Sequence, residues 1–256
     1  MCETCGCGDP DVVPVDVHDR ILAGNERTAA HNREHFRERG VTAVNLMGSP
    51  GAGKTAVLEA TARRLTGRQR LGALAGDLAT DYDADRLRAA GIAAKSITTG
   101  SACHLDAEMV HRGLHEFPWR ELDYLFIENV GNLVCPAVYD LGQAVNVVAL
   151  SVTEGEDKPL KYPTIFNTAD VCVITKMDLA AAVEFDLDSA RENIHAVRPG
   201  MRIMELSVKS GQGLEDYMAF LDSKLVVQKN HMDLQLNIEN PVNLVRRLSS
   251  QDTKVL

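Results

Sequence analysis

Apolar residues fall along this chain in short blocks separated by stretches with a helical spacing of apolar positions. The blocks at 41–47, 71–75, 124–128, 145–152, 171–175 and 202–206 have strand length and are rich in branched or aromatic side chains. Segments 21–39, 55–65, 83–90, 105–114 and 189–197 predict helices, the first of them ended by Gly40. Regular alternation of the two kinds predicts an α/β fold with a mostly parallel sheet covered by helices on both faces. Residues 1–20 combine clustered cysteines with Gly, Pro and Asp and read as a flexible arm. Residues 21–225 form one domain. The rest, 226–256, is polar with scattered apolar residues and Pro241, and reads as a weakly structured tail.

Composition narrows the function. The chain has 256 residues, 45% hydrophobic and 25% charged, enough for a substantial core. Its net charge of -9 opposes nucleic-acid binding, which needs a basic face. No run approaches the ~20 apolar residues that span a bilayer, so no membrane partner is expected. Met1–Pro10 lacks the basic start and apolar run of a signal peptide. The reading is cytoplasmic, where thiols stay reduced. The six cysteines are then ligands, reactive thiols or core residues rather than disulfides.

Gly48-Ser-Pro-Gly-Ala-Gly-Lys-Thr55 directly follows the first predicted strand and opens a predicted helix. That is the context a P-loop requires. Gly48, Gly51 and Gly53 let the backbone amides around Ala52 turn inward on a phosphate. Lys54 adds a point charge, Thr55 offers a hydroxyl to Mg²⁺, and the helix through Ala56 points its positive end at the anion. Further along, Thr175-Lys176-Met177-Asp178 ends a strand and is similar to the N/T-K-x-D element of GTPases. An Asp there accepts hydrogen bonds from the guanine ring N–H and amine, a pair adenine lacks. Ser207-Val208-Lys209 follows the next strand as a second guanine-side loop. Together they favour GTP over ATP. Asp77 ends a strand where it can help hold Mg²⁺. Glu128 ends another, positioned for Mg²⁺ or the attacking water, and Gly131 lets backbone approach the γ-phosphate. Lys54, Asp77 and Glu128 are thus the candidate catalytic residues.

Cys2, Cys5 and Cys7 form Cys-x-x-Cys-x-Cys, a spacing that lets three thiolates converge on one soft ion: Ni²⁺, Zn²⁺ or Cu⁺. Cys103-His104 and Cys135 lie in loops beside the nucleotide segments. Three ligands are too few for a closed structural zinc site and suit an open, exchangeable site or one completed across a dimer. On their own these three read as ordinary loop residues at least as readily. His111 and His115 share a helix face with His104 and are expected to face solvent, and Cys172 is expected in the core.

The runs Cys103-His-Leu-Asp106, Phe126-Ile-Glu-Asn-Val-Gly-Asn-Leu-Val-Cys-Pro136 and Leu150-Ser-Val-Thr-Glu-Gly-Glu-Asp-Lys-Pro-Leu-Lys-Tyr162 resemble the HypB family of hydrogenase nickel-incorporation GTPases. The resemblance implies the fold of the dimerising P-loop GTPases related to signal-recognition and nitrogenase-type proteins. It implies a nickel motif at Cys2, Cys5 and Cys7, and a Ni²⁺ or Zn²⁺ site at Cys103, His104 and Cys135 on a nucleotide-linked dimer interface. It also implies a HypA-type protein and a hydrogenase large-subunit precursor as partners, with GTP binding closing the dimer and hydrolysis reopening it. Only eight scattered histidines favour delivery over storage. Thr175 in place of Asn and the extra tail depart from the family pattern. The alternatives are a urease-type maturation GTPase, expected to carry Cys-Pro-His where this chain has Cys103-His104, a small-molecule kinase, and a passive metal store.

Overall fold

The computed structural model describes residues 15–239 of the protein. Seven strands, β1 (Thr42–Gly48), β2 (Leu71–Asp77), β3 (Ala93–Thr98), β4 (Tyr124–Glu128), β5 (Val145–Ser151), β6 (Val171–Thr175) and β7 (Arg202–Glu205), make one sheet. Their spatial order is β3-β2-β4-β1-β5-β6-β7 and every pairing is parallel. The helices are α1 (Val15–Arg39), α2 (Lys54–Leu65), α3 (Tyr82–Ala89), α4 (Ala107–Leu114), α5 (Lys158–Lys161), α6 (Pro163–Thr168), α7 (Leu187–Val197) and α8 (Leu214–Glu239). None of them is long and apolar enough to cross a membrane.

The continuous apolar blocks follow from burial on both faces, because successive side chains of a strand point opposite ways. In β4, Tyr124 and Phe126 pack with Val57, Leu58, Tyr217 and Leu221 from α2 and α8. Leu125 and Ile127 turn to the other face and join Phe36, Val110, Leu114 and Trp119 beside α1 and α4. A third cluster, with Val148, Leu150, Phe166 and Ile194, covers the far half of the sheet under α6 and α7. Burying each such large side chain contributes about 1.5–3 kcal/mol. β1 lies at the centre, buried along its whole length between β4 and β5. Its C-terminal end therefore opens where connections diverge, the usual ligand position in such sheets.

Three boundaries differ from the sequence reading. α1 starts at Val15, inside the segment read as an arm. β3 is an additional edge strand. α8 runs unbroken to Glu239, so residues 226–239 of the predicted tail are helical. Its early turns are held by core residues Leu214, Tyr217, Leu221 and Leu225, and one of its later residues, Met232, meets Gly40. Cys2, Cys5 and Cys7 and the tail from 240 onward lie outside the described residues.

Candidate functional site

The phosphate loop leaves the buried end of β1 through glycines whose conformations no other residue adopts comfortably. Gly53, which starts α2, has φ +93°. A Cβ at Gly48 would lie 2.6 Å from the Ala149 carbonyl. The loop closes on Lys54, a buried ammonium whose Nζ donates to the Gly48 carbonyl (3.2 Å) and the Ser49 carbonyl (3.1 Å). Burial lowers the Lys54 pKa, with Glu128, Asp83 and Glu154 pulling it back up. Loop, Asp77, Asp83, Arg86 and the segment from Glu128 to Gly131 line a cavity of about 590 Å³.

Thr55 Oγ1 donates to Glu128 Oε1 (2.7 Å) and also contacts Asp83 Oδ1 (3.1 Å). The second Glu128 oxygen is buried with no partner. An orphaned carboxylate oxygen beside a hydroxyl and a second carboxylate suits a hard cation with oxygen ligands, so this set fits Mg²⁺. Asp77 borders the same cavity, but its carboxylate is engaged by Ala79 N, Thr80 N and the Thr80 hydroxyl. Those bonds pull its pKa down against burial, which raises it. Asp83, on α3, is the carboxylate the structure adds.

Burial pushes the Glu128 carboxyl up to about 7, against the Thr55 hydrogen bond that favours its ionised form. The folded state therefore holds a proton that the unfolded chain releases near its ordinary value of 4.5. Stability from this group is complete below that value and is lost as pH rises through about 7. A shift of this size corresponds to roughly 3 kcal/mol. Free of nucleotide and Mg²⁺, Glu128→Gln should be about 1–3 kcal/mol more stable than the native chain at pH 8, with the gain shrinking toward pH 5. Urea unfolding across that range checks it, and a difference independent of pH would remove burial as the cause.

The base side adjoins the same loop. Asp178, Leu179, Lys176, Val208 and Lys209 line a cavity of about 380 Å³ that shares Gly53 and Ala56 with the phosphate side. Ser207 donates its hydroxyl to Asp178 Oδ1 at 2.7 Å, which orients the carboxylate. Lys176, left-handed at φ +59°, donates Nζ to the Gly51 carbonyl at 2.7 Å. Thr175 is buried and donates Oγ1 to the Ala52 carbonyl at 2.6 Å. The hydroxyl thus ties the base-side loop to the phosphate loop, a task that does not require Asn.

Cys103, His104 and Cys135 converge, each offering a ligand atom within 4.8 Å of the others. The two sulfurs are hydrogen-bonded at 2.9 Å. That shared proton, followed by burial, raises the Cys135 pKa. His104 stacks on Tyr139 with ring centroids 3.9 Å apart, and its Nδ1 is buried without a partner. Burial lowers its pKa, keeping the imidazole neutral. Two thiols and a neutral imidazole match Ni²⁺ or Zn²⁺. Cys172 is fully buried in β6, where burial pushes its thiol up and leaves it inert.

Two asparagines tie this cluster to the nucleotide side, Asn132 to the phosphate loop and Asn129 to β1. Asn132 donates its backbone N–H to the Gly48 carbonyl (3.1 Å) and its side chain to the Cys103 carbonyl (3.3 Å). Asn129 accepts from the Leu105 and Val130 amides and donates to Asn45 in β1. Between them, Gly131 lies so close to Pro50 that a Cβ would meet it at 2.8 Å. The side-chain roles of both asparagines depend on tertiary placement, and no spacing in the sequence announces them.

Residues 42–205 match the family model described as CobW/HypB/UreG, nucleotide-binding domain. The hydrogenase maturation factor HypB of Azotobacter vinelandii is 45% identical over 206 residues, spanning 80% of this chain and 68% of the relative. The chain belongs to the HypB family. It is accordingly a P-loop GTPase, and its sheet and helices have the architecture the sequence implied. The HypB crystal structure from Archaeoglobus fulgidus is similar at TM-score 0.75 and 44% identity, covering 80% of this chain and all (100%) of that one. HypB from Helicobacter pylori, solved in complex with nickel, gives TM-score 0.76 at 42% identity, covering 81% and 97%. The family model spans HypB and UreG alike; the HypB of Helicobacter pylori, 42% identical over 82% of this chain and 88% of its own length, is named a hydrogenase/urease maturation factor.

Proposed function

We propose that this HypB-family GTPase carries Ni²⁺ to a hydrogenase large-subunit precursor, and that the γ-phosphate of GTP sets its hold on the ion. The observation that supports the coupling is Asn132, whose backbone touches the phosphate loop and whose side chain touches the Cys103 carbonyl, three residues before Cys135. Lys54 and the loop amides grip the phosphates. Thr55 and Glu128, with Asp83 or Asp77 nearby, would hold Mg²⁺, which neutralises charge on the phosphate oxygens. Asp178 with Ser207, Val208 and Lys209 selects guanine. Cys103, His104 and Cys135 take Ni²⁺ or Zn²⁺ and leave a position for exchange or for a second copy of the chain.

In this reading residues 1–20 are a nickel-binding arm through Cys2, Cys5 and Cys7, 21–225 the GTPase domain, and 226–256 a C-terminal tail whose first part, to Glu239, belongs to α8. The working form is a cytoplasmic homodimer closed by GTP, meeting a HypA-type protein and the precursor. Hydrolysis withdraws the contact at Gly131, shifts Asn132 and loosens Cys135. A tenfold drop in affinity requires only about 1.4 kcal/mol of differential binding.

Ni²⁺ titrations with a non-hydrolysable GTP analogue, with GDP and without nucleotide test the coupling, alongside GTP/ATP competition. The expected result is at least tenfold tighter Ni²⁺ binding in one nucleotide state, collapsing toward equality in Asn132→Ala. Equal affinities in all three states would leave a passive metal store.

A further inference from the structure

His31 and His35 lie one turn apart on α1; His111 lies on α4, and His115 caps the C-terminal end of that helix. Residues four apart share a helix face. Packing of α1 against α4 turns the two pairs toward each other. Ring centroids are 4.0 Å apart for His31–His35, 5.2 Å for His31–His111, 5.9 Å for His35–His111 and 5.4 Å for His111–His115. One ring nitrogen from each of His31, His35 and His111 lies within 4.8 Å of the other two. The four histidines border a cavity of about 520 Å³ with Glu116, Trp119 and Arg120. His111 is half-buried there, so the expectation that it simply faces solvent does not hold.

A buried neighbour fixes the chemistry of His111. Asn32 uses its amide N–H groups on the Ala107 carbonyl (2.9 Å) and the Leu141 carbonyl (3.2 Å). Its oxygen is thereby left to accept, and His111 Nδ1 sits 3.0 Å from it. That nitrogen is therefore the donor, and in the neutral ring it is Nε2 that has the bare lone pair. Metal-ligating histidines are oriented by this kind of partner on the ring's other nitrogen. His35 is backed by Trp119, whose ring lies nearly parallel at 5.9 Å. The Arg120 guanidinium rests over the same indole, 4.6 Å from its centroid.

We propose that His31, His35 and His111, with His115 as an available fourth ligand, form a transition-metal site separate from the thiol cluster, taking Ni²⁺ or Zn²⁺ through imidazole nitrogen alone. Imidazole suits both ions, and three such ligands leave an open position for exchange. His111 lies on the helix that begins three residues after His104, so one short stretch of chain, residues 103–111, carries ligands of both clusters. It requires neither nucleotide nor cysteine.

The test is a Ni²⁺ titration of the full chain without nucleotide, repeated on a variant with Cys2, Cys5, Cys7, Cys103 and Cys135 all replaced by Ser. One equivalent should persist in the thiol-free variant, with a nitrogen- and oxygen-only shell by X-ray absorption. His31→Asn with His35→Asn should weaken that equivalent at least tenfold. In the native background the same pair should leave the thiolate-to-nickel absorption bands and GTP turnover unchanged while lowering the Ni²⁺ stoichiometry by one. If the thiol-free chain fails to fold, that stoichiometry decides. Unchanged stoichiometry in the double variant, for Ni²⁺ and Zn²⁺ both, overturns the site whatever the fate of nucleotide coupling.

Discussion

Lys54→Ala should lower GTP turnover by about 100- to 1,000-fold, the cost typical of removing one preorganised charge partner from a transition state. Lys54 is buried, and its ammonium already turns back over the Gly48 and Ser49 carbonyls, where charge building on transferring phosphoryl oxygens would be met. Its surroundings are acidic, with Glu128, Asp83 and Glu154 all acting on it. A neutral side chain would leave those carboxylates facing the triphosphate directly. The loss should therefore fall on kcat and on nucleotide affinity together. Arginine at this place is no remedy, because the loop encloses a point charge and leaves little room for a planar fork. Native turnover is itself expected to be slow, on the order of 10⁻⁴ to 10⁻² s⁻¹ without a stimulating partner. Single-turnover phosphate release measures the effect, and turnover within threefold of native would rule out Lys54 as the phosphate cation.

Asp178→Asn should weaken GTP binding by about 100-fold or more, since each hydrogen bond to a charged group contributes about 1.5–3 kcal/mol and guanine loses one acceptor outright and the charge behind the other. Xanthine offers a carbonyl where guanine has its amine, so the variant's amide should recover much of the affinity for XTP. The Ser207 hydroxyl that now donates to Asp178 can donate equally to the Asn oxygen, which keeps the side chain in place. Competition of GTP, XTP and ATP against a fluorescent nucleotide separates selection from misfolding. A variant that loses all three alike would argue for collapse of the pocket, and one that keeps GTP would move guanine recognition elsewhere.

The elements carrying the nucleotide were legible because each is local. A strand, a glycine loop and a helix occupy adjacent residues, and Asp178 and Ser207 each follow an apolar block. Loop ends at 103–104 and 135 were readable as ligands only through family runs, since the two segments meet through the fold. Asp83 escaped because nothing in Tyr82–Ala89 distinguishes a helix facing Thr55 from a solvated one. β3 escaped because Ala93–Thr98 is an edge strand with none of its residues fully buried. The face of α4 alone suggested histidines in water; their companions His31 and His35 come from a helix some eighty residues earlier. For α8, polar residues after Leu225 hid a helix whose first half is anchored in the core.

The Thr175 hydroxyl bond to the Ala52 carbonyl joins positions 123 residues apart. Together with Lys176 on Gly51 it welds the two halves of the nucleotide cradle through bonds internal to the chain. Ordering a loop costs roughly 1–2 kcal/mol of backbone entropy per residue, and here that cost is met during folding. Binding energy from the guanine end is then free to act on the opposite wall of the cleft, around Gly131 and Asn132. In the proposed coupling the cradle is the anvil, and the segment leading to Cys135 is the part required to move against it.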